Sequence, residues 1–324
     1  MVAFDVSVLA RNLIGKMEIH DFNQEVRENR AARFEAALEL DQLNQLYNLS
    51  KMESFLKSEV VPTLPIDIFH DGHLMRLADV QKKSGKSCLD VVVDHFCDGS
   101  TIRIRDVEKS DDQVSQFVSE VQRYFAAQSQ VNLYLTPPTK TGFPPHFDIT
   151  DVFIVQCLGR KEWKIYQDYS NKIELPMMET NWDPDRFKPS ASAETHTLCA
   201  GDVLYLPRGV MHEAFCGDRE SMHLTVSIVP LTFADLIAKV LRAAAEADVE
   251  FRRRVPWSIE TEDGRFDELT TQIRGLILKL ANQNNLIEVM ADERRSLQPG
   301  SRSNHSGALT SAIANLLEKS NSAC

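Results

Sequence analysis

Between residues 131 and 230 the chain is a series of short β-forming runs: VNLYLT, DVFIVQCL, KEWKIY, THTLCA, DVLYLP, HEAFC and MHLTVSIV, with Gly, Pro, Asp or Ser between them. Runs this short and this regularly punctuated cannot build long helices or a parallel α/β sheet. They predict an antiparallel sandwich or small barrel. The polar, Pro-containing stretch from about 167 to 195 reads as an insertion between strands, a place where loops carry substrate contacts.

The flanks read differently. Residues 22–58 are helix-like, with Phe34, Ala37, Leu38, Leu40, Leu43 and Leu46 near a 3.6-residue period. Val60 to Pro65 breaks that run into an extended loop. The runs CLDVVVDHF (88–96) and GSTIRI (99–104) predict strands, and residues 111–127 an amphipathic helix on Val114, Phe117, Val118, Val121 and Phe125. After Pro230 the helical period returns, first on Phe233, Leu236, Ile237, Val240 and Leu241, then on Leu269, Ile273, Leu276, Ile277 and Leu280. Residues 296–307 read as a linker before a short final helix. Three parts follow: 1–130 a mixed helical buttress, 131–230 the β core, and 231–324 a helical region suited to homodimerisation.

Composition removes several function classes. The 324 residues carry a net charge of -11, which argues against direct nucleic-acid binding and suits a basic protein or peptide partner. No run is long and apolar enough for a membrane span, and no apolar leader with a cleavage site is read at the N-terminus. Six scattered cysteines without a C-x-x-C pair suggest neither a zinc ribbon nor a disulfide framework, so a reduced, cytoplasmic setting is expected.

The chemistry lies in two stretches. In GFPPHFD, His146 and Asp148 stand two residues apart, so on extended backbone they project to one face with Phe147 behind them. An imidazole and a carboxylate so placed are two thirds of the 2-His-1-carboxylate set that holds non-haem Fe(II) with open positions. In GDVLYLPRGVMH, residues 201–212, Gly201, Pro207, Gly209 and His212 fit the second cupin motif, G-x5-P-x-G-x2-H, in which a tight turn aims the histidine into a barrel. Where that motif continues to Asn, this chain has Cys216.

These stretches, together with NLYLTPP (132–138), LGRKEW (158–163) and HLTVS (223–227), resemble the JmjC-type 2-oxoglutarate oxygenases, in particular their ribosomal-oxygenase (cupin-4) branch, over roughly residues 60–230. The resemblance implies an α+β fold: a double-stranded β-helix (cupin or jelly-roll, JmjC) barrel with N-terminal helices and a C-terminal helical region. It implies His146, Asp148 and His212 as catalytic iron ligands, with Fe(II), 2-oxoglutarate and O2 as cofactor and cosubstrates. Lys161, fifteen residues after His146, matches the cation that pairs with the distal carboxylate of 2-oxoglutarate. Strand parity supports an inward Lys161, on one face with Trp163 and Ile165. Asn132 and Thr225 match positions near the cosubstrate, and Tyr134 and Ser227 positions near the substrate.

The expected activity is hydroxylation of a side-chain carbon of a protein or peptide residue, with 2-oxoglutarate decarboxylated to succinate. The same chemistry on a small molecule or peptide natural-product precursor, lysine demethylation, and a non-enzymatic cupin binding module remain alternatives. The residues after Pro230 are expected to suffice for the family's helical region but to be short for its complete winged-helix domain.

Overall fold

The computed structural model describes residues 4–58, 65–255 and 265–281. Its contacts divide the chain into two compact units, residues 1–230 and 231–324. The extended loop expected at Val60 to Pro65 lies almost wholly outside the described residues, as do the expected linker and final helix.

The first unit opens with short helices α1 (Val6–Asn12) and α2 (Ile19–Glu25), strand β1 (Ala32–Phe34), and helices α3 (Leu40–Leu46) and α4 (Leu49–Leu56). The helical period read over 22–58 is therefore broken. Ala32 and Phe34 pair with Tyr205 and Val203 of a later strand, and Asn48 restarts a helix by accepting the Lys51 N–H at 3.0 Å. Strands β2 (Ile66–His70) and β3 (His73–Arg76) form a hairpin, followed by α5 (Leu77–Ser84), α6 (Cys88–Cys97), β4 (Thr101–Ile104) and α7 (Asp112–Phe125).

Helix α6 corrects the strand expected at 88–96. The Val91-Val92-Val93 run has strand propensity, but the buried positions are Cys88, Val91 and Val92, a helical spacing, while Val93 is exposed. Ser87 caps the helix by accepting the Asp90 N–H at 3.2 Å. Helix α7 follows its sequence pattern: Val114, Phe117, Val118 and Val121 are buried, and the Asp111 carboxylate accepts from the N–H groups of Gln113 and Val114.

The β core follows as β5 (Gln128–Thr136), β6 (Asp151–Leu158), β7 (Arg160–Tyr166), β8 (Ala193–Cys199), β9 (Val203–Leu206), β10 (His212–Cys216) and β11 (Ser221–Val229). They form an eight-stranded sheet, in the order β1-β9-β6-β11-β5-β4-β2-β3, and a three-stranded sheet, β10-β7-β8, with every pairing antiparallel. Alternation along β6 sorts its side chains between two cores. Phe153 and Val155 join the helix-covered core with Phe117 and Val121. Val152 and Ile154 meet Trp163, Ile165, Leu198 and Ala214 of the small sheet. Two antiparallel sheets closed over one apolar layer, with helices outside, are the expected α+β double-stranded β-helix.

A third cluster, Phe147, Tyr169, Phe187 and Met211, ties the stretch before β6 to the 167–192 insertion. The second unit holds α8 (Phe233–Ala247), begun by a reciprocal Thr232–Asp235 capping box, and α9 (Arg265–Ala281).

Candidate functional site

Three backbone features bring the two informative stretches together. His146 and His212 exchange a pair of backbone hydrogen bonds, at 3.0 and 2.7 Å, which fixes their side chains opposite each other. Gly209 donates its N–H to the Asp148 carbonyl at 2.8 Å. That turn requires glycine: its φ is +81°, and a Cβ there would stand 2.9 Å from the Ile173 carbonyl oxygen and 2.6 Å from Pro176 Cδ. The Pro-Arg-Gly turn therefore locks His212, Asp148 and the insertion into one arrangement.

Each histidine has its Nδ1 beside a carbonyl two residues earlier, His146 at 2.9 Å from Pro144 and His212 at 2.9 Å from Val210. A carbonyl can only accept, so Nδ1 carries the proton and Nε2 keeps its lone pair. Those Nε2 atoms lie 4.0 and 3.8 Å from the two Asp148 oxygens. Across the three residues the donor atoms all fall within 4.8 Å of one another. Burial, with His146 adding to it, pushes the His212 imidazole down to about 4, so it is neutral near pH 7. Two imidazoles whose Nε2 atoms converge with one carboxylate on a single point fit a divalent cation.

The donors open onto a small cavity lined further by Tyr134, Gly142, Phe143, Lys161, Trp163, His223 and Thr225. Lys161 is 2% exposed. Its Nζ donates to the Thr136 hydroxyl at 2.9 Å and lies 5.9 Å from the Trp163 ring. Among the described residues no carboxylate lies within ion-pairing distance of it. Burial, only partly opposed by the nearby Cys216 thiol, lowers the Lys161 amine to about 8. A buried cation without an anion is costly, and an anionic ligand would relieve the cost.

Of the residues singled out in the sequence, the structure brings His146, Asp148, His212, Lys161, Tyr134 and Thr225 around one cavity. Asn132 and Ser227 are on the anticipated strand faces but do not line it. Asn132 Oδ1 accepts the Asp106 N–H at 3.2 Å, and Ser227 is buried between Gln130 and Val152. Each is one inward step along its strand from a lining residue, about 6–7 Å away.

The structure adds residues the sequence reading gave no role. His223 is 2% exposed and stacks on Tyr134, with centroids 4.8 Å apart. Its parity with Thr225 was visible, but its partner was not. Trp163 packs against both His212 and His223. Phe143 contacts Tyr134 and His146, and Trp182 of the insertion reaches to 6.5 Å from His146.

Residues 105–236 match the JmjC domain family. That match covers the β core and is a likeness to the JmjC family. Ribosomal oxygenase 1 of Danio rerio is 36% identical over 186 residues, which are 52% of this chain and 34% of that protein. A Dictyostelium discoideum protein named bifunctional lysine-specific demethylase and histidyl-hydroxylase NO66 is 37% identical over 202 residues, 56% of this chain and 38% of that one. The chain thus spans little more than a third of the length of these curated relatives. YcfD, a ribosomal oxygenase from Escherichia coli solved with cobalt and succinic acid, superposes with a TM-score of 0.52 at 18% identity, covering 84% of this chain and 69% of that one. The lining residues of the cavity all fall in the range matched to the JmjC family.

Proposed function

We propose that this protein is an Fe(II)- and 2-oxoglutarate-dependent dioxygenase that hydroxylates a side-chain carbon of a protein or peptide residue, converting 2-oxoglutarate to succinate. One observation carries the reading: the three convergent donors of His146, Asp148 and His212 and the buried Lys161 amine line a single cavity. The names of the relatives, ribosomal oxygenase and histidyl-hydroxylase, agree with it.

In this reading His146, Asp148 and His212 hold the iron, leaving positions open for cosubstrate and O2. Bound iron and 2-oxoglutarate supply the activation of O2 that makes an unactivated C–H bond reactive. The chain's own contribution is placement. The Nδ1 contacts fix each imidazole so that only Nε2 faces the metal. Lys161, oriented by Thr136, takes the distal carboxylate in a charge-assisted hydrogen bond. Trp163, Ile154, Val152 and Ala214 form an apolar wall that keeps water from the reacting centre. Tyr134 and Phe143 border the substrate.

A basic partner suits the net charge of -11, which steers cations toward the protein. We also propose a cytoplasmic setting, consistent with the free state of Cys88, Cys97, Cys157, Cys199 and Cys216. No described helix is long and apolar enough to cross a membrane. Residues 231–324 are proposed to mediate a homodimer, since Phe233, Ile237 and Leu241 of α8 form an exposed stripe, 84, 60 and 46% accessible.

The test is turnover of 2-oxoglutarate with Fe(II), comparing the wild type with His146→Ala. Equal succinate formation by the two proteins would end every oxygenase reading. Mass spectrometry of candidate peptides then separates the reactions, about +16 for hydroxylation and about -14 for demethylation.

A further inference from the structure

The cavity-side face of the large sheet does not stop at the barrel. Cross-strand partners share a face, and one row of partners runs across β11, β5, β4, β2 and β3: His223, Tyr134, Arg103, Asp67 and Arg76. The first two line the cavity. With strands about 5 Å apart, Arg103 is one step beyond the cavity wall and Arg76 three. Arg105, two residues after Arg103, joins the same face.

This extension carries an excess of positive charge. A single carboxylate, Asp67, faces three guanidinium groups. Arg103 grips it in a fork at 2.9 and 2.5 Å, and Arg76 donates to its other oxygen at 2.8 Å. Arg105 stands 3.4 Å away, with an Nε that is buried and hydrogen-bonded to nothing described. Asp106, the neighbouring carboxylate in sequence, is paired with Lys109 at 2.8 Å. The surplus cations are reachable, since the side chains of Arg103, Arg105 and Arg76 are 20, 35 and 47% exposed.

The cluster is also joined to the cavity. The Arg103 guanidinium lies 4.9 Å from the ring of Phe143, a cavity residue, and beside the Tyr134 hydroxyl. An anion held by these arginines would therefore tether a molecule whose adjacent part reaches past Tyr134 to the metal cluster.

We propose that Arg76, Arg103 and Arg105 form a substrate subsite that binds a carboxylate a short distance from the reacting side chain. The guanidinium forks left over from Asp67 match the two oxygens of a carboxylate. This deepens the hydroxylase reading and rests on it: the partner is basic in the large, but holds one acidic group close to the target residue. That group is either an Asp or Glu side chain or a free C-terminus.

The experiment measures fluorescence anisotropy of the full chain with labelled nonapeptides of a fixed Gly/Lys frame. One Glu, or one Gln, is moved through the frame, and each peptide is made with an amidated and a free-acid C-terminus. We expect positions at which Glu binds at least about fivefold more tightly than Gln, in line with one exposed charge pair. If only the free-acid series discriminates, the carboxylate is the C-terminal one. Arg76→Gln and Arg105→Gln, each checked for an unchanged melting transition, should bring the ratio below about two, and Arg105→Lys should restore part of it. Equal binding of Glu, Gln, acid and amide at every position would overturn the proposal, as would a preference that survives in both Gln variants. Succinate formation by the wild type, read without any peptide, reports separately on the oxygenase reading.

Discussion

Asp67 and Lys161 are both buried charges on strands of the same barrel unit, at 0 and 2% exposure. Asp67 is enclosed by Arg76, Arg103 and Arg105. Lys161 has one neutral partner, the Thr136 hydroxyl. The difference shows that burial alone does not mark a site. Asp67 is answered by the chain's own groups, whereas Lys161 is not, and it is the unanswered charge on which the proposed cosubstrate role rests.

The comparison can be broken most sharply by removing each charge in turn. We expect Asp67→Ala to cost about 3–5 kcal/mol of stability, because three arginines lose their common partner. The KM for 2-oxoglutarate should stay within about twofold, since Asp67 is remote from the metal cluster. Chemical denaturation and succinate assays check the two halves. Lys161→Met should do the reverse: its 2-oxoglutarate KM should rise by about 100-fold, the loss of one charged hydrogen bond in a dry pocket.

Its stability should rise at neutral pH, by about 1–3 kcal/mol. The sign follows from the lysine amine, which burial lowers from 10.5 to about 8 in the folded protein. The cost of holding the cation is complete below about 8 and fades as pH climbs toward the unfolded value. The stability gain of Lys161→Met over wild type should therefore shrink from about pH 8 upward and vanish above pH 10.5, as melting curves at a series of pH values would show.

A smaller effect concerns cosubstrate affinity. Below about pH 8 the free lysine is already charged; above it, binding a dicarboxylate must take up a proton. Affinity for 2-oxoglutarate should fall about tenfold per pH unit there, and the fall should disappear in Lys161→Arg. Calorimetry across pH 7–9.5 tests this. The smallest change expected is for Trp182→Ala at the insertion. It should raise the KM for a peptide severalfold while leaving peptide-free turnover of 2-oxoglutarate close to wild type.

The convergence of His146, Asp148 and His212 was legible because it depends on residue type at fixed spacing: His146 and Asp148 share a face by parity, and the Pro-Arg-Gly turn before His212 needs its glycine. Lys161 was legible for the same reason, as β7 alternates charged-out and buried-in. The strand assigned at 88–96 failed because propensity in a valine run is weaker than the tertiary surface that buries Val91 and Val92 together. Asn132 and Ser227 lie on the expected faces but outside the cavity lining. Parity gives a face, but not how far along the strand the cavity reaches. Arg103 and Arg105 alternate with Ile102 and Ile104, so a cationic face on β4 was visible. That it continues the cavity floor depends on the register Arg103–Tyr134, which only the folded sheet supplies.

The proposed function needs the His146, Asp148 and His212 donors and Lys161 to act on one ligand in one cavity. Its most direct test is the binding of 2-oxoglutarate, measured by calorimetry without oxygen, to the protein loaded with Mn(II). Binding is expected for the wild type and its loss in both His212→Ala and Lys161→Met. Undiminished binding by a folded Lys161→Met protein would contradict it.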